Sequence, residues 1–228
     1  AVGTARLDGE IDRWWSGPAH LGGSIDKPQV WWLQDGTSFL AARQSFGCAP
    51  ELVTQRRRGD FVAITRHNEP LASATPAAHV EPLSWLARDG LRIEGMLLRT
   101  EQRARQPCIV LVHGGPTWAW GQFHTDTWPN ALVLAQAGFA VLLPNPRGSN
   151  GRGADFAQAV IDDIGGEDLH DILRGVEHVA ALGLIDPSRV GIAGHSYGGF
   201  MVAWAPTQTD VFRAAAGLSI VADWPSCI

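Results

Sequence analysis

Apolar and polar positions keep two different rhythms along this chain, and the change falls near residue 80. Before it there is no helical period. Val30-Trp31-Trp32-Leu33 and Ser38-Phe39-Leu40-Ala41-Ala42-Arg43 flank Gln34-Asp35-Gly36-Thr37, and two β-prone runs around Asp-Gly predict a hairpin, because Gly takes the positive φ that such a turn demands. Asp60 to Thr65 predicts another strand. That is about the strand content of one four-stranded propeller blade, so residues 1–80 read as the end of a β-propeller domain, one to two blades and a linker. The linker is placed at Glu69 to Pro82, where Pro70, Pro76 and Pro82 interrupt any pattern.

From Glu81 onward the rhythm is that of alternating strands and helices, so residues 81–228 read as the N-terminal portion of an α/β domain. Leu91 to Arg99, Ile109 to His113, Phe139 to Leu143, Val190 to Ala193 and Ala214 to Ile220 are strand-like, several of them continuous apolar runs of the kind buried on both faces. Asn130 to Gly138, Glu167 to Leu182 and Tyr197 to Ala205 read as helices; the second carries Leu169, Leu173, Val176 and Val179 at helical spacing, with acids in its first turns. The expectation is a mostly parallel sheet with helices on both faces.

Composition narrows the function classes. Hydrophobic residues make up 45% of the chain and charged residues 18%, which supplies a buried core and argues against disorder. A net charge of −5 leaves no electrostatic footprint for nucleic acid, and Arg56-Arg57-Arg58 reads as a solvated turn. No apolar stretch reaches the ~18 residues of a membrane span, so a soluble chain is expected. Cys48, Cys108 and Cys227 form no ligand or disulfide pattern, which favours a reducing, cytoplasmic compartment. His170 and His178 lack the carboxylate partners of a zinc site, and Gly148, Gly151 and Gly153 do not fit a phosphate-binding loop, so neither metal nor cofactor is expected. The chain opens at Ala1 without a signal pattern and stops at Ile228 just after a strand-like stretch; both ends read as cut.

Two motifs carry chemistry. Gly194-His195-Ser196-Tyr197-Gly198-Gly199 lies between a predicted strand and a predicted helix and fits G-x-S-x-G. Such a turn is too tight for side chains two residues either side of the serine, and Gly194 and Gly198 meet that demand while Ser196 is lifted to the top of the sheet. His113-Gly114-Gly115-Pro116 follows the strand that ends near Val112, where an oxyanion-binding loop belongs. A tetrahedral intermediate needs two donors; the N–H of Tyr197 and one from the Gly114-Gly115 turn are candidates, and Pro116 has none to give. His113 reads as a structural residue orienting that loop. Arg147 reads as an ion-pair partner of Asp168 or Asp171 ahead of any role in the site. Trp118, Trp120 and Trp128 read as packing residues ahead of a pocket lining.

With Ser84-Trp85, Arg88-Asp89-Gly90, Pro144-Asn145-Pro146-Arg147-Gly148-Ser149, Gly165-Gly166-Glu167-Asp168 with Asp171, and Asp186-Pro187 added to those motifs, residues 81–224 resemble the catalytic domain of the prolyl oligopeptidase family of serine peptidases, in its acylaminoacyl-peptidase and dipeptidyl-peptidase-like branch. Ile164 stands where many members of that family carry Trp. The resemblance implies an α/β-hydrolase fold, here incomplete and preceded by a partial β-propeller that in the family covers the active site. It further implies Ser196 as nucleophile, Gly115 and Tyr197 as oxyanion donors, Gly194, Gly198 and Gly199 as the nucleophile elbow, and a peptide substrate.

A serine nucleophile of this architecture is followed in the chain by an acid and then a histidine. After Ser196 the only acids are Asp210 and Asp223, and all eight histidines precede it. His195 is its neighbour and points away on such a turn. The expectation is a peptidase fragment without its general base and inactive alone; an esterase or lipase-like hydrolase, or a non-catalytic binding module on the same fold, are the alternatives.

Overall fold

The computed structural model of the chain describes residues 2–5, 10–17, 19–22, 29–70, 78–100, 105–121 and 130–224. The chain divides into two compact units, Ala1–Pro76 with Gly121–Thr125, and Ala77–Trp120 with Asp126–Ile228.

The first unit is antiparallel throughout. Strands β1 (Val2–Ala5) and β2 (Ile11–Trp15) pair with each other. A second sheet orders β3 (His20–Leu21), β5 (Ser38–Ser45), β6 (Cys48–Arg56) and β7 (Phe61–Ala63), with β4 (Val30–Trp32) beside β3 on the same edge of β5. The predicted hairpin forms: Trp32 faces Phe39, Gly36 takes φ +62°, and Asp35 Oδ1 accepts the N–H groups of Thr37 and Ser38, both at 2.8 Å. Strand β6 was not legible in the sequence, where Pro50 and Glu51 interrupt the alternation. Trp14, Leu21, Phe39 and Ala41 are buried, and Trp32 meets Trp14 edge-on at 4.8 Å. The arginine turn at 56–58 is exposed, as expected, and Arg57 and Arg58 both pair with Asp12.

The second unit is built on a six-stranded sheet ordered β13-β12-β10-β11-β9-β8, with β8 His79–Leu86, β9 Arg92–Arg99, β10 Gln106–Val112, β11 Ala140–Asn145, β12 Ile185–His195 and β13 Phe212–Leu218. The sheet is mostly parallel, as expected, with one reversed strand: β11, β10, β12 and β13 run parallel, whereas β9 is antiparallel to both β11 and β8. Strand β8 begins inside the segment read as linker, whose residues 71–77 lie outside the described ones. Pro82 is accommodated because β8 is an edge strand, where a missing N–H costs no ladder bond.

The crossovers place helices on both faces. Helix α1 (Ala131–Gln136) links β10 to β11 and is capped by Asn130 Oδ1, which accepts the N–H groups of Leu132 and Val133. A short helix α2 (Ala154–Gln158), which the residue pattern does not announce, precedes α3 (Glu167–Ala181), which returns the chain to β12; α4 (Tyr197–Gln208) links β12 to β13. Leu169, Ile172 and Val176 of α3 and Met201 and Val202 of α4 share one core with Cys108, Val110, Ala140 and Leu142 of the sheet. Strand side chains alternate, so the buried Leu111, Val141 and Leu143 face the other side, toward Leu132 and Ala135 of α1. Trp85 of β8 is wedged between two glycines. A Cβ on Gly95 or Gly175 would come within 2.8 and 2.6 Å of its ring, and its indole N–H donates to Asp171 O at 2.8 Å.

Candidate active site

Strands β10 and β12 lie side by side, with Val112 opposite Gly194 at their C-terminal ends. The chain leaves β10 toward α1 on one face of the sheet and leaves β12 into α4 on the other. Loops diverging from adjacent parallel strands open a crevice, the place where ligands bind in open α/β sheets. Both sequence motifs sit at its mouth.

Ser196 is the single residue between β12 and α4 and holds φ 61°, ψ −119°. A side chain at such a positive φ costs on the order of 1–3 kcal/mol and persists only where its surroundings over-determine it. Here they do so through glycine. A Cβ on Gly194 would lie 2.6 Å from the carbonyl of Gly198 and 2.8 Å from Val112 O; one on Gly198 would lie 2.1 Å from Val112 O; one on Gly199 would lie 2.8 Å from Leu218 O. The three glycines let β12, α4 and the end of β10 close on one another, and Ser196 N–H donates to Leu218 O at 3.0 Å while Ser196 O accepts from Phe200 N–H at 2.9 Å. Ser196 is half-buried, His195 exposed and Tyr197 fully buried.

The second loop meets this turn directly. A Cβ on Gly114 would fall 3.6 Å from Ser196 Cβ, so Gly114 faces the serine across the crevice, and Gly115 follows at φ +118° where a Cβ would strike Thr117 N at 2.4 Å. His113 is buried with its Nδ1 2.8 Å from Gly114 O and its Nε2 2.9 Å from Ser149 Oγ. Burial pushes its pKa down to about 4, so the ring is neutral and donates Nδ1–H to Gly114. Both nitrogens are thus committed within the loops, in line with the structural reading of His113. His178 stacks on Trp85 at 6.3 Å, and among the described residues no histidine is hydrogen-bonded to Ser196 Oγ. Trp118 and Trp120 pack edge-on at 5.1 Å beside His113, with the Trp120 indole N–H on Leu111 O; Trp128 lies outside the described residues.

Beneath the crevice lies a buried polar layer that the sequence only hinted at. Tyr197 OH donates to Asp168 Oδ2 at 2.5 Å, and Asp168 also accepts the N–H groups of Gly165 and Leu169. Burial pushes the Asp168 carboxyl up against the pull of those donors, and pushes the Tyr197 phenol well up. Arg147 pairs with Asp171 and not Asp168: its Nε and Nη2 reach the two carboxylate oxygens at 2.9 and 3.0 Å, and its backbone N–H adds a third bond at 2.9 Å. Its other side meets Asp89, whose carboxyl the guanidinium holds below the usual range. The structural reading of Arg147 therefore holds.

A strained serine on a strand-to-helix turn, facing a glycine loop, is a hydrolase arrangement. Residues 124–227 match the prolyl oligopeptidase family. These residues belong to that family. An uncharacterized peptidase of Bacillus subtilis, YuxL, is 38% identical over 150 residues, 64% of this chain and 22% of that protein. Dipeptidyl-peptidase 5 of Porphyromonas endodontalis is 30% identical over 191 residues, 80% of this chain and 28% of that protein. Among solved structures, the acylaminoacyl peptidase of Pyrococcus horikoshii superposes with a TM-score of 0.78 at 30% identity, covering 93% of this chain and 33% of that one. The chain thus spans between about a fifth and a third of the length of these family relatives.

Proposed function

We propose that this chain contributes the nucleophile and oxyanion hole of a serine peptidase acting on short or N-blocked peptides, and the observation that carries the reading is the strained Ser196 held against Gly114 at the crevice. Ser196 Oγ attacks the scissile carbonyl and forms an acyl-enzyme that water then hydrolyses. The oxyanion of each tetrahedral intermediate is taken by the N–H of Tyr197 and that of Gly115. The first turn of α4 favours this role, because its N–H groups have no intrahelical acceptor and its dipole is positive there. Each such donor contributes about 10²–10³ in kcat. The substrate class is supported by the relatives, which are named as a dipeptidyl-peptidase and an acylaminoacyl peptidase.

The general base and the acid that orients it are assigned to residues outside these 228, because no described histidine is hydrogen-bonded to Ser196 Oγ, His113 is committed within the loops, and His195 is adjacent to the nucleophile on the turn. Residues 1–80 are read as the end of a β-propeller, a reading supported by the antiparallel order β3-β5-β6-β7, with β4 beside β3 on β5. Two measurements test the proposal. In the full-length protein Ser196→Ala should abolish fluorophosphonate labelling and lower turnover by a factor on the order of 10⁶; retained labelling would sink the assignment. Residues 1–228 alone, shown to be folded by circular dichroism, should hydrolyse aminoacyl and acyl-aminoacyl chromogenic substrates negligibly. Turnover near the full-length rate would mean that a histidine present here serves as the base.

A further inference from the structure

The buried polar layer under the crevice divides between two loops. Asp168 and Asp171 stand one turn apart on α3, both without solvent exposure, and their side-chain oxygens are turned toward the two loops above them. Asp168 reaches the elbow, taking the hydroxyl of Tyr197, the first residue of α4. Asp171 reaches the loop after β11, taking both the backbone and the guanidinium of Arg147. That loop in turn grips the other wall of the crevice at three points on either side of Gly115. Asn145 Oδ1 accepts Trp120 N–H at 2.7 Å while its Nδ2 donates to Trp120 O at 3.2 Å. Ser149 Oγ meets His113 Nε2 at 2.9 Å, and Asn150 donates its N–H to Trp118 O at 3.0 Å and its amide to Thr117 O.

We propose that Asp168 and Asp171 are positioning residues that set the spacing of the two oxyanion donors, Asp168 through the Tyr197 hydroxyl and Asp171 through Arg147 and the 145–150 loop. The inference rests on the peptidase reading above, in which the N–H groups of Tyr197 and Gly115 are those donors. One rigid helix then braces both halves of the hole, which come from distant parts of the chain. A hole whose donors are held in place before the charge develops stabilises the transition state without reorganisation. Neither aspartate touches the substrate.

The test uses the full-length enzyme, with rates per titrated active site. Tyr197→Phe removes one oxygen and leaves Asp168 its backbone donors; Asn150→Ala removes one amide from the brace; Asp168→Asn and Asp171→Asn probe the helix itself. Tyr197→Phe and Asp171→Asn should each lower kcat about tenfold or more, with KM within twofold. Affinity for a peptidyl trifluoromethyl ketone, whose serine adduct carries the oxyanion, should fall in parallel. A role in folding alone would lower Tm and leave kcat and ketone affinity of the folded enzyme unmoved. Tyr197→Phe combined with Asp168→Asn should be no worse than the worse single variant, since both act on one bond. If Asp171→Asn does not fold, Asn150→Ala carries that arm, and it should lower kcat with KM held. Turnover and ketone affinity within twofold of wild type in Tyr197→Phe and Asn150→Ala, beside a dead Ser196→Ala, would overturn this inference and leave the peptidase reading standing. An active Ser196→Ala would overturn both.

Discussion

The turn at Ser196 and the loop at Gly114-Gly115 stand side by side at the ends of β12 and β10, yet they are held by different means. The elbow is fixed by close approach of backbones: Gly194, Gly198 and Gly199 have no room for a Cβ against Val112 O, the Gly198 carbonyl and Leu218 O. The facing loop is fixed by side chains arriving from elsewhere, with Asn145, Ser149 and Asn150 gripping Trp120, His113 and Thr117. Steric fixation is local and leaves its mark in consecutive residues. Fixation by hydrogen bonds is distributed over segments some thirty residues apart and leaves no contiguous pattern.

Breaking the elbow should have the largest effect. Gly198→Ala would put a methyl group 2.1 Å from Val112 O, where only backbone can yield. A loss of about 3 kcal/mol is expected, together with loss of fluorophosphonate labelling, because Ser196 sits two residues away on the same strained turn. Thermal melting and labelling of the full-length variant measure both. A Gly198→Ala protein that melts with the wild type and labels at its rate would show that the turn is not sterically closed.

The facing loop should behave differently. Asn145→Ala removes both of its bonds to the Trp120 backbone, a change expected to cost about 1–3 kcal/mol for the groups left unpaired. Ser196 and its turn stay in place, so labelling persists at a reduced rate while kcat falls about tenfold, a part of the 10²–10³ that a whole donor supplies. If Asn145→Ala abolishes labelling as completely as Gly198→Ala does, the two loops are not separately held.

The same contrast explains what could be read from the residues. Gly194, Gly198 and Gly199 around Ser196 announced a strand–turn–helix junction, and the buried runs at Ile109 to His113 and Phe139 to Leu143 announced the middle of the sheet; all are decided by neighbours in sequence. The brace was not legible. Arg147 could be paired in advance with Asp168 or Asp171, but only the fold selects Asp171 and leaves Asp168 for Tyr197. The edges mislead for a related reason. Pro82 in β8 and Pro50 in β6 look like breaks in a local pattern, and whether a proline breaks a strand depends on which of its edges is free, a property of the sheet.

The smallest expected effect lies at the far end of the strand that carries Ser196, and it serves as the control for the others. Ile185 pairs with Gln106 and Val190 with Cys108, so Asp186 to Arg189 loop out of the ladder. Asp186 holds that loop by accepting Ser188 Oγ–H at 2.6 Å, Ser188 N–H at 2.9 Å and Arg189 Nε–H at 2.8 Å. The Ser188 hydroxyl first, then Arg189, bring its pKa down to about 2 from the ordinary 3.8. A carboxylate with a depressed folded-state pKa contributes stability above its unfolded pKa and loses it as pH falls through the folded one. Asp186→Asn should therefore lower Tm slightly at neutral pH, and the gap to wild type should close as pH falls from about 4 toward about 2. Turnover per site should be unchanged, since no contact of this loop reaches the crevice among the described residues. A gap that persists undiminished on acidification would mean that the Asp186 bonds do not depend on its charge. A fall in kcat would mean that the base of β12 is coupled to its head.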